Sequence, residues 1–358
     1  MSLRPEHEVL LALTARAIGC EVSVPPLDAE RWDSLFDIAC RQNVAALVST
    51  VIGQDCPFTT RLKFSAIKEK AADQYRSKTS LLVRLLKLFN DAGIDTMLLK
   101  GFCNSRHYPN PMLRQFGDID IYQFGRQNEA DALVAKTFGI KINNAAPHHS
   151  KYTLDGVLVE NHYDFIERHT HRDNNAMEQV LKADAAQGFS ECIFHGQKCF
   201  TPSPTFEVLF MLRHDASHFA ADRITLRHLV DWTLTCRHES NLIDWPHVEE
   251  VARRFGFLPF AKGMEEICQH YFALTPHLAT PDGAADQSIA SRMLDEIFIG
   301  RFEGHEPPAS KPFKRLRFKW RRRIASHWKH DICYSSPAAV DFLYSLYAKL
   351  LNPHTILH

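Results

Sequence analysis

The chain has no net charge: 42 Lys and Arg balance 42 Asp and Glu. That excludes a chain-wide field for polyanions and leaves only local asymmetry. It has no apolar run near the roughly 20 residues of a membrane span. None of its nine cysteines forms a CxxC pair, and the count is odd. A disulfide framework or zinc knuckle is therefore not expected; reduced thiols in a cytoplasm are. Internal repeats and low-complexity tracts are absent. The opening "MSLRPEHEVLLALTARAIGC" lacks signal-peptide grammar, because Glu6 and Glu8 precede its apolar stretch and Arg16 interrupts it. It reads as an amphipathic helix.

What is present is an ordinary globular composition, 45% hydrophobic and 23% charged over 358 residues, long enough for two or three domains. Residues 1–95 read as helical. Trp32, Leu35, Phe36, Ala39 and Val44 recur at helical spacing, as do Leu81, Leu82, Leu85, Leu86 and Phe89, with Gly93 as a stop. Residues 96–170 change character. "TMLLKG" and "FGDIDIY" read as strands, "QNEADALVAKTFG" as a helix closing at Gly139, and "HSKYTL" with "VLVENHYDF" as a hairpin about Asp155-Gly156. From 171 to 358 the pattern is helical again, with Ser203 as a cap and Pro204 in a first turn. The expectation is an α+β protein: a small mixed sheet flanked by N-terminal helices and a C-terminal helical domain.

Asp118 and Asp120 lie two apart in an apolar strand, so they share one face while Ile119 and Ile121 take the other. Parallel carboxylates repel unless a cation sits between them, and Mg²⁺ is suited to oxygen ligands. Glu160, mid-strand in "VLVENHYDF", is the candidate third carboxylate of a two-metal site. A solvated strand end for the aspartates and an exposed face for Glu160 is the competing reading.

The order of motifs resembles the DNA polymerase β-type nucleotidyltransferases: strand, glycine, helix, an Asp-x-Asp strand, then one carboxylate on a later strand. More narrowly, "LLKG", Tyr108 to Pro111, Arg114, "GDIDI", His148-His149 and Glu160-x-His162-Tyr163 resemble a bacterial family of uncharacterised nucleotidyltransferases. The resemblance extends over residues 1–275 and takes in "WDSLFDIACRQNVAALV" and "LRHLVDW". It implies transfer of an NMP group from an NTP to a hydroxyl of a small molecule, glycan precursor or protein, with pyrophosphate released. It also implies Mg²⁺ or Mn²⁺ held by Asp118, Asp120 and Glu160. The Gly-Ser usual in the wider superfamily is replaced here by Lys100-Gly101. Phosphate contact then falls to Lys100, Gly101 and Arg114. The same replacement keeps a weakly active or inactive nucleotide-binding scaffold in view; a γ-phosphotransferase is a third reading.

His214 and His218 lie four apart in "RHDASH", where the glutamate of HExxH is missing; a polar cleft wall or a helix contact is expected rather than a metal site. His149, His162 and His214 are candidates for the acceptor side. Residues 311–330 hold nine Lys or Arg and no acid, interleaved with aromatics. This basic amphipathic segment suits docking on the helical domain, an anionic membrane surface or a polyanion. Dedicated nucleic-acid binding is not expected.

Overall fold

The computed structural model describes residues 3–279, 287–299 and 325–341, together with positions 314, 317, 318, 321 and 344. Half of the basic segment 311–330 therefore lies outside the described residues. Its described end docks on the helices. Trp328 packs edge-on to Phe219, and Lys329 pairs with Glu296 at 2.7 Å while donating to the Asp222 carbonyl.

The N-terminal helices are α1 (Pro5–Ala17), α2 (Trp32–Arg41), α3 (Ala45–Val48) and α4 (Phe58–Asp91). The sheet strands are β1 (Met97–Leu99), β2 (Asp118–Tyr122), β3 (His149–Leu154), β4 (Val157–His162), β5 (Phe189–Phe194) and β6 (Gln197–Pro202), in the order β3-β4-β2-β1-β6-β5. The helices α5 (Lys100–Ser105), α6 (Gln127–Phe138) and α7 (Asn174–Gln187) interrupt the strands. Then come α8 (Pro204–Ala221), α9 (Leu226–Glu239), α10 (Trp245–Arg254) and α11 (Leu258–Phe272).

The local signals act as their chemistry requires. Gly139 closes α6 at φ 65°, and Asp155-Gly156 turns the β3–β4 hairpin at φ 52° and 75°. The Ser203 hydroxyl accepts the Phe206 N–H at the start of α8. One expectation fails. Residues beyond 171 are not all helical: β5 and β6 form a second hairpin that extends the sheet, with β6 parallel to β1. Its turn is His195-Gly196 at φ 47° and 82°. The outermost strand β5 buries little, leaving Ile193 66% exposed, so no apolar periodicity marks it.

Two apolar clusters organise the chain. Leu81 to Phe89 of α4 pack on one face of the sheet with Ile119, Ile121 and Val159. The larger cluster joins α1 and α2 to α8–α11, centred on Trp32, Phe206, Trp232 and Phe260. The loop between α5 and β2 is clamped to this helical body. Arg114 donates to both oxygens of Asp231 on α9, at 2.8 and 2.7 Å, and to the Gly101 carbonyl at 3.1 Å. Tyr108 and Arg227 also donate to Asp231, at 2.7 and 3.0 Å. Burial opposes ionisation of Asp231, yet Arg114 and Arg227 hold its carboxyl down at about 2.

Removing one partner of such a pair leaves a buried charge uncompensated. Arg114→Ala should lower the unfolding free energy by about 3–5 kcal/mol in urea titrations; a loss below about 1 kcal/mol would contradict the clamp.

Buried histidines set the acid limit of the fold. Burial is the largest cause that depresses His7, His171 and His228 to about 4 and His107 to about 3. The unfolded chain protonates first, near 6.5, so stability is full above that pH and is lost as the pH falls toward the folded values. By about pH 5.5 each group costs about 1 kcal/mol, and Tm should drop by several degrees from its value at about pH 7.5. A Tm that stays level over that interval in differential scanning calorimetry would contradict the neutral histidines.

Candidate active site

The sheet brings the three carboxylates together by register. Asp120 pairs with Leu99 of β1 on one side and with Glu160 of β4 on the other, and Glu160 pairs in turn with Lys151 of β3. Alternation puts Asp118 on the Asp120 face. One oxygen each of Asp118, Asp120 and Glu160 lies within 4.8 Å of the others. They floor a cleft of about 510 Å³, with α8 and α9 as its far wall.

Cationic and hydrogen-bonding groups converge on the same floor. Lys100 Nζ lies 2.9 Å from Asp120 Oδ1, and His162 Nε2 lies 3.0 Å from the same oxygen. Lys151 Nζ lies 2.9 Å from Glu160 Oε1. Burial works against the Asp120 carboxylate, but Lys100 and His162 hold it well below the usual range. Burial would likewise lower Lys100; Asp120, Glu160 and Asp118 outweigh it and hold the ammonium up. Asp118 is pushed up by burial and then by Asp120. The floor thus keeps excess negative charge at Asp118, where a divalent cation would be stabilised.

The turn from β1 into α5 is unusual. Lys100 has φ 42°, in the left-handed region that a non-glycine residue seldom takes. The next residue cannot carry a side chain without rearrangement, because a Cβ on Gly101 would lie 2.7 Å from the Phe116 ring. Lys100 and Gly101 both line the cleft. Arg114 lines it too, but three of its N–H groups are engaged by Asp231 and the Gly101 carbonyl. Through these bonds it braces the Lys100-Gly101 turn.

His149 and His162 are cross-strand partners beside Glu160. His214 and His218 stand on the opposite wall, their Nε2 atoms 3.1 Å apart. Burial lowers His148 to about 3 and His149 to about 2, and drives His214 well below the usual imidazole value. These rings are neutral near pH 7. Lys151, Arg227, His228 and Asp231 also face the cleft and were not singled out from the sequence. Lys151 was within reach: counting back from the Asp155-Gly156 turn puts it opposite Glu160. The α9 residues lie in "LRHLVDW", which entered the resemblance with no site role attached.

The profile of a family described as uncharacterised nucleotidyltransferase matches residues 28–273. No curated protein matches. Among solved structures, ANT(2'')-Ia in complex with adenylyl-2''-tobramycin is similar at 14% identity and TM-score 0.37, covering 50% of this chain and 96% of that one. A solution structure of the antibiotic-resistance factor ANT(2'')-Ia gives 15% identity and TM-score 0.38 over 55% of this chain and 98% of the other. An antigenic nucleotidyltransferase-like protein from Paracoccidioides brasiliensis gives 13% and 0.30, over 44% and 72%. The match to the family profile spans most of the chain, including every element that builds the cleft floor, and the chain belongs to the family of uncharacterised nucleotidyltransferases.

Proposed function

We propose that the cleft transfers an NMP group from an NTP to a hydroxyl acceptor, with Mg²⁺ or Mn²⁺ held by Asp118, Asp120 and Glu160. The observation that carries this reading is the convergence of three carboxylates, from two paired strands, on the floor of one cleft. The donor set fits a hard divalent ion: it is all oxygen, and Lys100 offsets the Asp118 charge only in part. When bound, such an ion neutralises phosphate charge and acidifies a hydroxyl.

The chain's own residues position the reactants. Lys100 sets a fixed ammonium between Asp120 and the cleft, where it attracts the triphosphate and restrains Asp120. Gly101 lets the backbone approach closely, and Arg114 acts through it as a positioning residue rather than as a phosphate ligand. On the acceptor side, the neutral rings of His149 and His214 line the cleft and can orient the acceptor, whose hydroxyl proton passes to water in the cleft. The hydroxyl oxygen bonds to the α-phosphorus as the bond to pyrophosphate breaks. The cleft volume suits a nucleotide with a small acceptor group beside it. Among the described residues no helix is long and apolar enough to cross a membrane. All nine cysteines are free, in keeping with a cytoplasmic setting.

The test is incubation of the full chain with each α-labelled NTP, a divalent ion and cell extract. Pyrophosphate release and labelled acceptor are expected; release of nucleoside diphosphate would instead establish γ-phosphoryl transfer. Asp118→Asn should reduce transfer at least about hundredfold with the circular dichroism spectrum unchanged. Transfer at the native rate in that variant would remove Asp118 from the reaction.

A further inference from the structure

A second set of ligand-type side chains meets at Glu160. His149, Glu160 and His162 each bring one ligand atom within 4.8 Å of the other two. The strands dictate this placement. Glu160 and His162 are two apart on β4 and share a face, and His149 is the direct cross-strand partner of His162.

One feature of these rings is unexplained by the protein alone. His149 is 4% exposed, faces the cleft, and neither of its ring nitrogens has a hydrogen-bond partner. Buried polar atoms are nearly always satisfied, so a ring left bare on both nitrogens points to a missing partner. His162 Nδ1 lies 3.2 Å from the Asp164 carbonyl, which can only accept. Its Nε2 faces the two carboxylates, 3.0 Å from Asp120 Oδ1 and 3.9 Å from Glu160 Oε2. A metal-ligating histidine almost always donates its other ring N–H to a carboxylate or backbone carbonyl, and the Asp164 carbonyl is placed to accept one from His162.

We infer that His149, Glu160 and His162 form a nitrogen-containing site for a divalent transition ion of the Zn²⁺ type, sharing Glu160 with the all-oxygen cluster. His149 Nε2 stands 3.5 Å from Glu160 Oε1. Ligands on a tetrahedral ion at about 2.0 Å stand about 3.3 Å apart, so small side-chain rotations close the site. Imidazole selects Zn²⁺ or Co²⁺ over Mg²⁺. Three protein ligands leave one position open toward the cleft. Lys151 competes for Glu160 Oε1 at 2.9 Å, and its half-exposed ammonium can retreat into solvent as the ion enters. The binding stands without the transferase reading and rests on it only for its use, as the second ion beside the acceptor hydroxyl.

The experiment is titration of the full chain with Co²⁺, followed by its visible d–d absorption in excess Mg²⁺. Intense bands of a low-coordinate, nitrogen-ligated ion are expected in the native chain and in Asp118→Asn. In His149→Ala and the better space-filling His149→Gln the bands should be lost and Co²⁺ affinity should fall at least about tenfold, with circular dichroism reporting that the fold persists. A pale, oxygen-only spectrum in the native chain would overturn the site. So would native bands in the folded His149 variants. Intact bands in a chain that transfers no nucleotide would overturn the transferase reading alone; transfer without the bands would overturn the nitrogen site alone.

Discussion

Like charge crowded on one face of a sheet is the constraint on which this structure depends. Asp118, Asp120 and Glu160 hold ligand oxygens within 4.8 Å of one another. No apolar packing offsets that repulsion. The protein answers with Lys100 and His162 on Asp120 and with Lys151 on Glu160. At Asp118, burial and then the Asp120 charge outweigh Lys100 and push the carboxyl up. Stability and chemistry pull apart here: a fold optimised only for stability would replace the cluster with apolar residues, whereas a phosphate-transfer site needs the charge.

The helical body serves this floor. The apolar clusters rest α4 on one face of the sheet and set α8 and α9 across the other. The Arg114–Asp231 clamp then fixes the distance between floor and wall. Because Arg114 also holds the Gly101 carbonyl, the same guanidinium sets the turn that presents Lys100. Tyr108, Arg114 and Asp231 look unrelated in the sequence; in the fold they are one buried hydrogen-bonded group. The motif pieces "YPNPMLR" and "LRHLVDW" are in this way parts of a single structural device.

Neutral imidazoles give the cleft its second character. Around the carboxylates stand rings stripped of charge by burial, at the start of β3 on one side and on α8 on the other. A neutral imidazole can accept a proton or ligate an ion, which an imidazolium cannot. Oxygen-rich and nitrogen-rich halves therefore share one carboxylate, Glu160, and the cleft is graded from hard to softer ligands across a few ångströms.

Local rules in the sequence determined much of this. Alternation put Asp118 with Asp120 and Glu160 with His162, because side chains on a strand repeat every second residue. The Asp155-Gly156 turn set the β3–β4 register, and with it the pairing of His149 with His162, since a two-residue loop allows one alignment. The helices of α4 and α8 were legible from their apolar period and caps. The β5–β6 hairpin was not, because an outer strand that buries little carries no apolar pattern. Only the tertiary structure decided that β2 lies beside β4, which turns Asp120 and Glu160 into neighbours 40 residues apart. It also decided that Arg114 meets Asp231 across the cleft. Both depend on strand order and on helix docking, and those are chosen by the packing of the whole core, which no short stretch of sequence contains.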